Sequence, residues 1–328
     1  MKNFEYAAPR TEPEILELLS AEPGKVEILA GGTDLIGLMK GMVVTPDRVV
    51  NIMEVPSLKR VDALPNGGVS IGVAVTLDEI VTHPYLYAYS AIRQAISGIN
   101  SAQLQCQGTL GGEVCQRPQC WYYRNGRGLL SAEVEHGANH RHAILGNGGP
   151  AKFVHSSRIA PALMAMEATL RVLGPTEDDE RLVPVAEFFR TPRHEGQREH
   201  MLLPNQLMTH VILPPISGRT CATYEVRDTQ GPDQPLAAAA AALQLDAFGV
   251  VHDARIVMGH VAPTPWDSPE AARLVTGKRV DHAVAEMAGE AAVAQATPLS
   301  ENGYKLQLAK VAVKRAILLA AGLETGGF

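Results

Sequence analysis

Near the N-terminus the apolar positions change period twice. Ile15, Leu16, Leu18 and Leu19 fall at helical spacing behind Thr11-Glu12-Pro13-Glu14, which resembles a capping box, and Pro23-Gly24 closes that helix. Val26–Ala30 then reads as a strand and Gly31-Gly32 as a sharp turn. Leu35, Leu38 and Met39 mark a short helix, and Arg48–Ile52 a second strand. Strand, glycine turn, helix and strand make a compact βαβ unit whose ligand edge lies at the strand's carboxyl end. The unit is too short for a Rossmann domain and Gly31-Gly32 is not GxGxxG, which disfavours a dinucleotide dehydrogenase of that type.

Farther along, Gly68–Gly72 alternates as a strand, Thr76–Glu79 opens a helix, and a longer helix is expected over Tyr85–Ile96. Asn125–Gly149 is polar and glycine-rich without a period, and reads as a long surface excursion. An apolar helix over Ile159–Met166 follows His155-Ser156-Ser157-Arg158, then a strand over Ala168–Leu173 and a proline-bounded segment, Leu182–Phe189. Pro214–Gly218 is the preferred domain boundary. Ala237–Leu243 is a helix by propensity, although alternation does not settle it. Asp281–Ala296 and Gly303–Ala321 read as amphipathic helices packed on the last sheet.

The composition, 46% hydrophobic and 20% charged over 328 residues, is that of a globular chain of two or three domains. A net charge of −6 without a Lys/Arg-rich run gives nucleic-acid binding no support. No apolar run is long enough to span a bilayer, and the N-terminus lacks the apolar core of a secretory signal, so a cytoplasmic location is expected.

Chemistry concentrates in two glycine-rich stretches. Glu27-Ile28-Leu29-Ala30-Gly31-Gly32-Thr33-Asp34-Leu35 runs from strand into helix; Gly108-Thr109-Leu110-Gly111-Gly112-Glu113 repeats the idea with a hydroxyl beside paired glycines. Paired glycines bring backbone amides close to a ligand without Cβ interference, and a helix start adds free donors, so phosphate is the natural guest. The plain alternative for the first stretch is a tight turn capped by Thr33 or Asp34. Two such bends in one domain can hold a pyrophosphate from both sides.

With both stretches in view, the chain resembles the FAD-binding, medium-sized subunit of the molybdenum hydroxylases, the xanthine dehydrogenase and CO dehydrogenase family. Ala30–Leu35, Gly108–Gly112, Ala160–Leu163, Val226-Arg227-Asp228, Gly259–Trp266 and Tyr304-Lys305 carry the likeness along essentially the whole chain. The run Gln116–Arg124 points to the branch with aldehyde oxidoreductase and hydroxybenzoyl-CoA reductase flavoprotein subunits. The resemblance implies an α+β protein with a vanillyl-alcohol-oxidase (PCMH)-type FAD-binding fold. A small βαβ subdomain at 1–56 and a larger mixed subdomain at 57–215 would precede a CO-dehydrogenase-flavoprotein-like domain of sheet and helices at 216–328. It turns Ala237–Leu243 into a strand. It places the FAD pyrophosphate between the Gly31-Gly32 and Gly111-Gly112 bends, with Thr33 and Thr109 donating hydroxyl hydrogen bonds and backbone amides neutralising charge. Glu27, Ile28, Leu29, Ala30, Asp34, Leu35, Gly108 and Glu113 complete the implied cofactor-binding set, with no residue acting as a catalytic base.

The same resemblance implies [2Fe-2S] clusters on an iron–sulfur partner subunit and molybdopterin on a large subunit, with electrons leaving the flavin for an external acceptor. An export signal on a partner is the alternative to a cytoplasmic complex. Three positions depart from the family pattern: Glu113 where Asn is usual, Arg158 where a carboxylate commonly helps hold the cofactor, and Glu225 where Lys is frequent. They motivate an alternative reading as a scaffold subunit with weak or lost flavin binding. A stand-alone flavin oxidase is disfavoured by the match at Gly259–Trp266.

Some members of this branch carry an extra [4Fe-4S] cluster, which needs four thiolates. Asn125–Pro150 contains no cysteine and only Cys120 remains at the motif, so no such cluster is expected in this chain. A zinc site from Cys115, Cys120, His136, His140 and His142 matches no familiar spacing, and Cys120–Tyr123 reads better as a loop anchor that buries aromatics.

Overall fold

The structure, a computed structural model, describes residues 1–132, 137–229, 231 and 233–326. Its first unit holds β1 (Glu5–Ala7), α1 (Glu12–Leu18), β2 (Val26–Leu29), α2 (Leu35–Lys40) and β3 (Arg48–Asn51). The three strands are parallel in the order β1-β3-β2, so the expected βαβ unit is present with an added edge strand. Thr11 accepts from the Glu14 amide, as the local sequence requires, and Glu14 accepts from the Arg10 amide at 2.7 Å.

Next come β4 (Val61–Ala63), β5 (Val69–Gly72), α3 (Leu77–Thr82), α4 (Ser90–Ser97), α5 (Ala102–Gln107), α6 (Leu110–Val114), α7 (Trp121–Arg124) and α8 (Ala160–Ala165). After them lie β6 (Thr169–Leu173), β7 (Glu180–Pro184), α9 (Val185–Phe188) and β8 (Leu207–Leu213). The sheet order β4-β5-β8-β6-β7 is antiparallel throughout. Thr76 and Glu79 form a reciprocal capping box on α3. The helix expected over Tyr85–Ile96 is shorter: Pro84–Leu86 is a 3-10 turn, and the α-helix starts only at Ser90. The segment Leu182–Phe189 divides into the end of β7 and the short α9.

The last unit is an antiparallel sheet, β9 (Arg219–Val226), β10 (Ala237–Leu245), β11 (Val251–Gly259) and β12 (Trp266–Asp267), followed by α10 (Pro269–Val275), α11 (His282–Ala292) and α12 (Lys305–Ala320). The alanine run is a strand, against its propensity and in accord with the resemblance. Ala237, Ala239 and Ala241 pack with α12 residues such as Ala312 and Ala316, while Ala240 and Ala242 join the core of the preceding unit. A strand buried on both faces between helices has room only for small side chains, and that tertiary demand overrides helix preference.

The expected surface excursion over Asn125–Gly149 holds for its ends, where Asn125–Arg127 and Gly148-Gly149 are exposed, but not for its later half. Its stretch 133–136 lies outside the described residues, but Asn139, His142, Ala143, Ile144, Leu145 and Asn147 are buried. The Ile144 amide donates to Val261 O, Thr297 N donates to Ile144 O, and Asn302 Nδ2 reaches His142 O at 3.1 Å. Polar residues here satisfy the backbone of a buried seam, which is why no amphipathic period marks it.

Candidate functional site

A cavity of about 580 Å³ is lined by residues of the first two units. Along the first stretch it meets Glu27, Ile28 and Ala30–Leu35; along the second it meets Thr109, Gly111 and Gly112. Leu29, Gly108 and Glu113 are not part of its lining. The two bends touch: Gln107 Nε2 donates to Gly31 O at 3.1 Å, and a Cβ on Gly31 would stand 1.7 Å from Gln107 O. Gly32 takes φ +73°, open to glycine at little cost.

Asp34 precedes α2 but does not cap it. Its Oδ1 pairs with Arg124 at 2.7 Å, and Oδ2 accepts the Arg117 amide at 2.9 Å. The Arg117 guanidinium in turn meets Glu27 Oε1 at 3.0 Å. Both carboxylates of the first stretch thus hold the Gln116–Arg124 segment in place. Among the described residues nothing accepts from the amides of Gly31, Gly32, Thr33, Asp34 or Leu35. Consecutive free amides of this kind form an anion-binding concavity.

The second pair works differently. Gly111 N donates to Val73 O and Leu110 N to Val75 O, while Gly112 N donates to Thr109 Oγ1 at 3.2 Å. Those amides are spent inside the protein, so this bend offers clearance and the remaining hydroxyl proton of Thr109. A Cβ on Gly111 would lie 2.7 Å from Val73 Cβ, whereas one on Gly112 would meet only Thr109 Oγ1, at 3.1 Å. Gly31 and Gly111 are demanded by packing within the protein; Gly112 faces open space.

The rest of the lining includes Cys115, weighed above only as a zinc candidate, Arg117 and Tyr123 of the Gln116–Arg124 run, and Arg198 and His200, which no sequence motif marks. Burial pushes the Cys115 thiol up to about 12, so it stays protonated. Burial also works against the Glu199 carboxylate behind this wall, but Arg198 and Arg117 outweigh it and hold the group down to about 2. Arg198, Glu199 and His200 lie far from the glycine bends in sequence and carry no local motif.

Comparison with known proteins decides the family. Residues 2–216 match the FAD binding domain in molybdopterin dehydrogenase, and residues 222–320 match the CO dehydrogenase flavoprotein C-terminal domain. The chain belongs to the molybdopterin dehydrogenase FAD-binding family. It is 30% identical over 322 residues to the aldehyde oxidoreductase FAD-binding subunit PaoB of Escherichia coli, covering 94% of this chain and 96% of that one. It is 25% identical to the carbon monoxide dehydrogenase medium chain of Hydrogenophaga pseudoflava, with 96% of each covered. A solved carbon monoxide dehydrogenase from that organism shares the fold with a TM-score of 0.77 at 24% identity, covering 98% of both chains. The chain is therefore a subunit type of an oxidoreductase family, with an FAD-binding domain.

Within this molybdopterin dehydrogenase flavoprotein fold, the three departures form one cluster. Glu113 Oε1 accepts the Arg158 amide at 2.7 Å; the Arg158 guanidinium pairs with Glu225 at 2.9 Å; Arg227 Nε also meets Glu225, at 3.2 Å. Arg158 further donates to Gly98 O and Asp233 O. Burial raises the Glu113 and Glu225 carboxyls, with Arg158 opposing in both cases. None of the three lines the cavity.

Other family-matching residues are structural. Lys305, buried at the start of α12, donates to Arg141 O, His142 O and, at 2.7 Å, His260 O. Burial holds its ammonium down to about 7. Cys120 Sγ touches His142 Nε2 at 3.3 Å. Of the zinc candidates, Cys115 lines the cavity, His140 is exposed and His136 lies outside the described residues. Among the described residues no group of three or more His, Cys, Asp or Glu side chains is placed to hold a metal ion.

Proposed function

We propose that this chain carries FAD as the electron-transfer subunit of a molybdopterin and iron–sulfur oxidoreductase. One observation carries the reading: the amides of Gly31–Leu35, in residues lining the cavity, have no acceptor within the described protein. A diphosphate supplies what they lack. Thr33, exposed and without a partner among the described residues, and Thr109 through its remaining hydroxyl proton would add donors, and Gly112 would leave room for the guest. In this reading units 1–56 and 57–215 clasp the cofactor and 216–328 completes the subunit. Glu27 and Asp34 position the bend through Arg117 and Arg124.

Bound FAD supplies the redox chemistry; the protein orients and shields it. Electrons would come from [2Fe-2S] clusters on an iron–sulfur partner, fed by a molybdopterin-binding large subunit, and pass to an external acceptor. No helix of the described residues is long and apolar enough to cross a membrane, and we place the complex in the cytoplasm. The scaffold alternative finds no support in the Glu113, Arg158 and Glu225 cluster, which is internally paired away from the cavity lining.

Gly112→Leu tests the assignment. Leucine is the better helix former by about 0.8 kcal/mol, and its Cβ asks only a small shift of Thr109, so the variant keeps its thermal midpoint. FAD released from the purified chain, near-stoichiometric in the wild type, falls at least about ten-fold as the side chain occupies the diphosphate's space. A folded Gly112→Leu chain with full FAD content overturns the site.

A further inference from the structure

The cavity carries polar groups that the glycine bends leave unexplained. Arg198, Glu199 and His200 are consecutive, and Arg198 Nη2 bridges Glu199 Oε1 at 3.1 Å. Yet Arg198 Nε, Glu199 Oε2 and His200 Nδ1 are all buried without a hydrogen-bond partner among the described residues. Arg198 and His200 line the same cavity as Thr33 and Gly112. His200 is only 5% exposed, and its ring is held by stacking on Phe188, with centroids 5.4 Å apart and planes at 19°. Unmet buried polar atoms are costly, and three in succession beside a cavity call for a ligand or ordered water.

The chemistry of the set separates it from the anion-binding bend. A phosphate wants donors alone, and a second anion beside ionised Glu199 would be repelled. A neutral imidazole offers one donor and one acceptor, which matches the edge of a planar nitrogen heterocycle. Leu202, Leu203 and Met208 in the same lining give such a ring an apolar face. We propose that His200 is a cofactor-contact residue that hydrogen-bonds the heterocycle edge of FAD, with the Arg198–Glu199 pair and the bridge from His200 to Phe189 fixing the loop that presents it. The inference rests on the FAD reading above. Burial, reinforced by Arg198, holds His200 well below the usual histidine range, so its contact is made by the uncharged ring.

FAD has two such edges, on isoalloxazine and on adenine. FAD, FMN and ADP are therefore titrated separately onto the deflavinated full-length chain, following flavin fluorescence and competition. His200→Phe keeps the stacking on Phe188; His200→Asn keeps a polar edge. His200→Phe is expected to weaken FAD binding about five- to ten-fold, the loss of one hydrogen bond, and His200→Asn to recover part of it. Loss confined to FMN assigns the isoalloxazine edge, and loss confined to ADP assigns adenine. Unchanged FAD affinity in His200→Phe, or equal loss of both fragments with a lowered thermal midpoint, overturns the role of His200. A wild-type chain that takes up no FAD overturns the cofactor reading itself.

Discussion

The Arg158–Glu225 pair joins a residue just before α8 to strand β9, and its loss should be felt across that junction. The side chains are 4% and 12% exposed, and Gly98 leaves no room for a Cβ beside Glu225, with Oε1 2.2 Å from where one would sit. Glu225→Gln keeps the shape but strands the guanidinium, which among the described residues then keeps the carbonyls of Gly98 and Asp233 without a counter-charge. Removing one member of a buried pair costs about 3–5 kcal/mol, because the other stays desolvated without its counter-charge. The contact to Arg227, whose side chain is 21% exposed, is better solvated than that to Arg158 and adds less. Burial acts against both charges, lowering Arg158 and raising Glu225, so the pair as a whole stabilises little. Glu225→Gln and Arg158→Gln should therefore each destabilise strongly, and the double variant by clearly less than their sum. The coupling should exceed about 1 kcal/mol. Urea unfolding followed by far-UV circular dichroism measures all three midpoints, with the denaturant slope checked for constancy. Variants that remain folded should keep their FAD, since the pair is outside the cavity lining. Additive costs, single losses below about 1 kcal/mol, or a folded Glu225→Gln chain without flavin would refute this account.

Gly31→Ala places a Cβ against backbone that cannot rotate away, 1.7 Å from Gln107 O. It should destabilise by about 1–3 kcal/mol and part the two bends, read as a lower thermal midpoint together with lost FAD; an unchanged midpoint would contradict the packing. Stability should also fall with acid. His142 and His155 are held down to about 4 by burial, so each contributes fully above pH 6.5 and loses about 1.4 kcal/mol per pH unit from there toward 4. Glu199, held down to about 2, contributes above pH 4.5 and loses its share as pH falls toward 2. Urea midpoints that stay level between pH 7 and 4.5 would refute the neutral burial of these histidines.

Local sequence determined the βαβ unit, the capped starts of α1 and α3, and the glycine bends, because each depends on neighbours within a few residues: a cap, a turn, a short apolar period. It could also show that two bends exist. That they touch through Gly31 and Gln107, that only the first has amides to give, and that Asp34 serves Arg117 and Arg124 instead of its own helix were decided by tertiary contacts. The alanine strand β10, the buried seam around Ile144, and the joining of Glu113, Arg158 and Glu225 have the same origin. Burial between helices, backbone pairing across the chain and desolvated charge are set by what arrives from elsewhere in the sequence, and no local pattern records them.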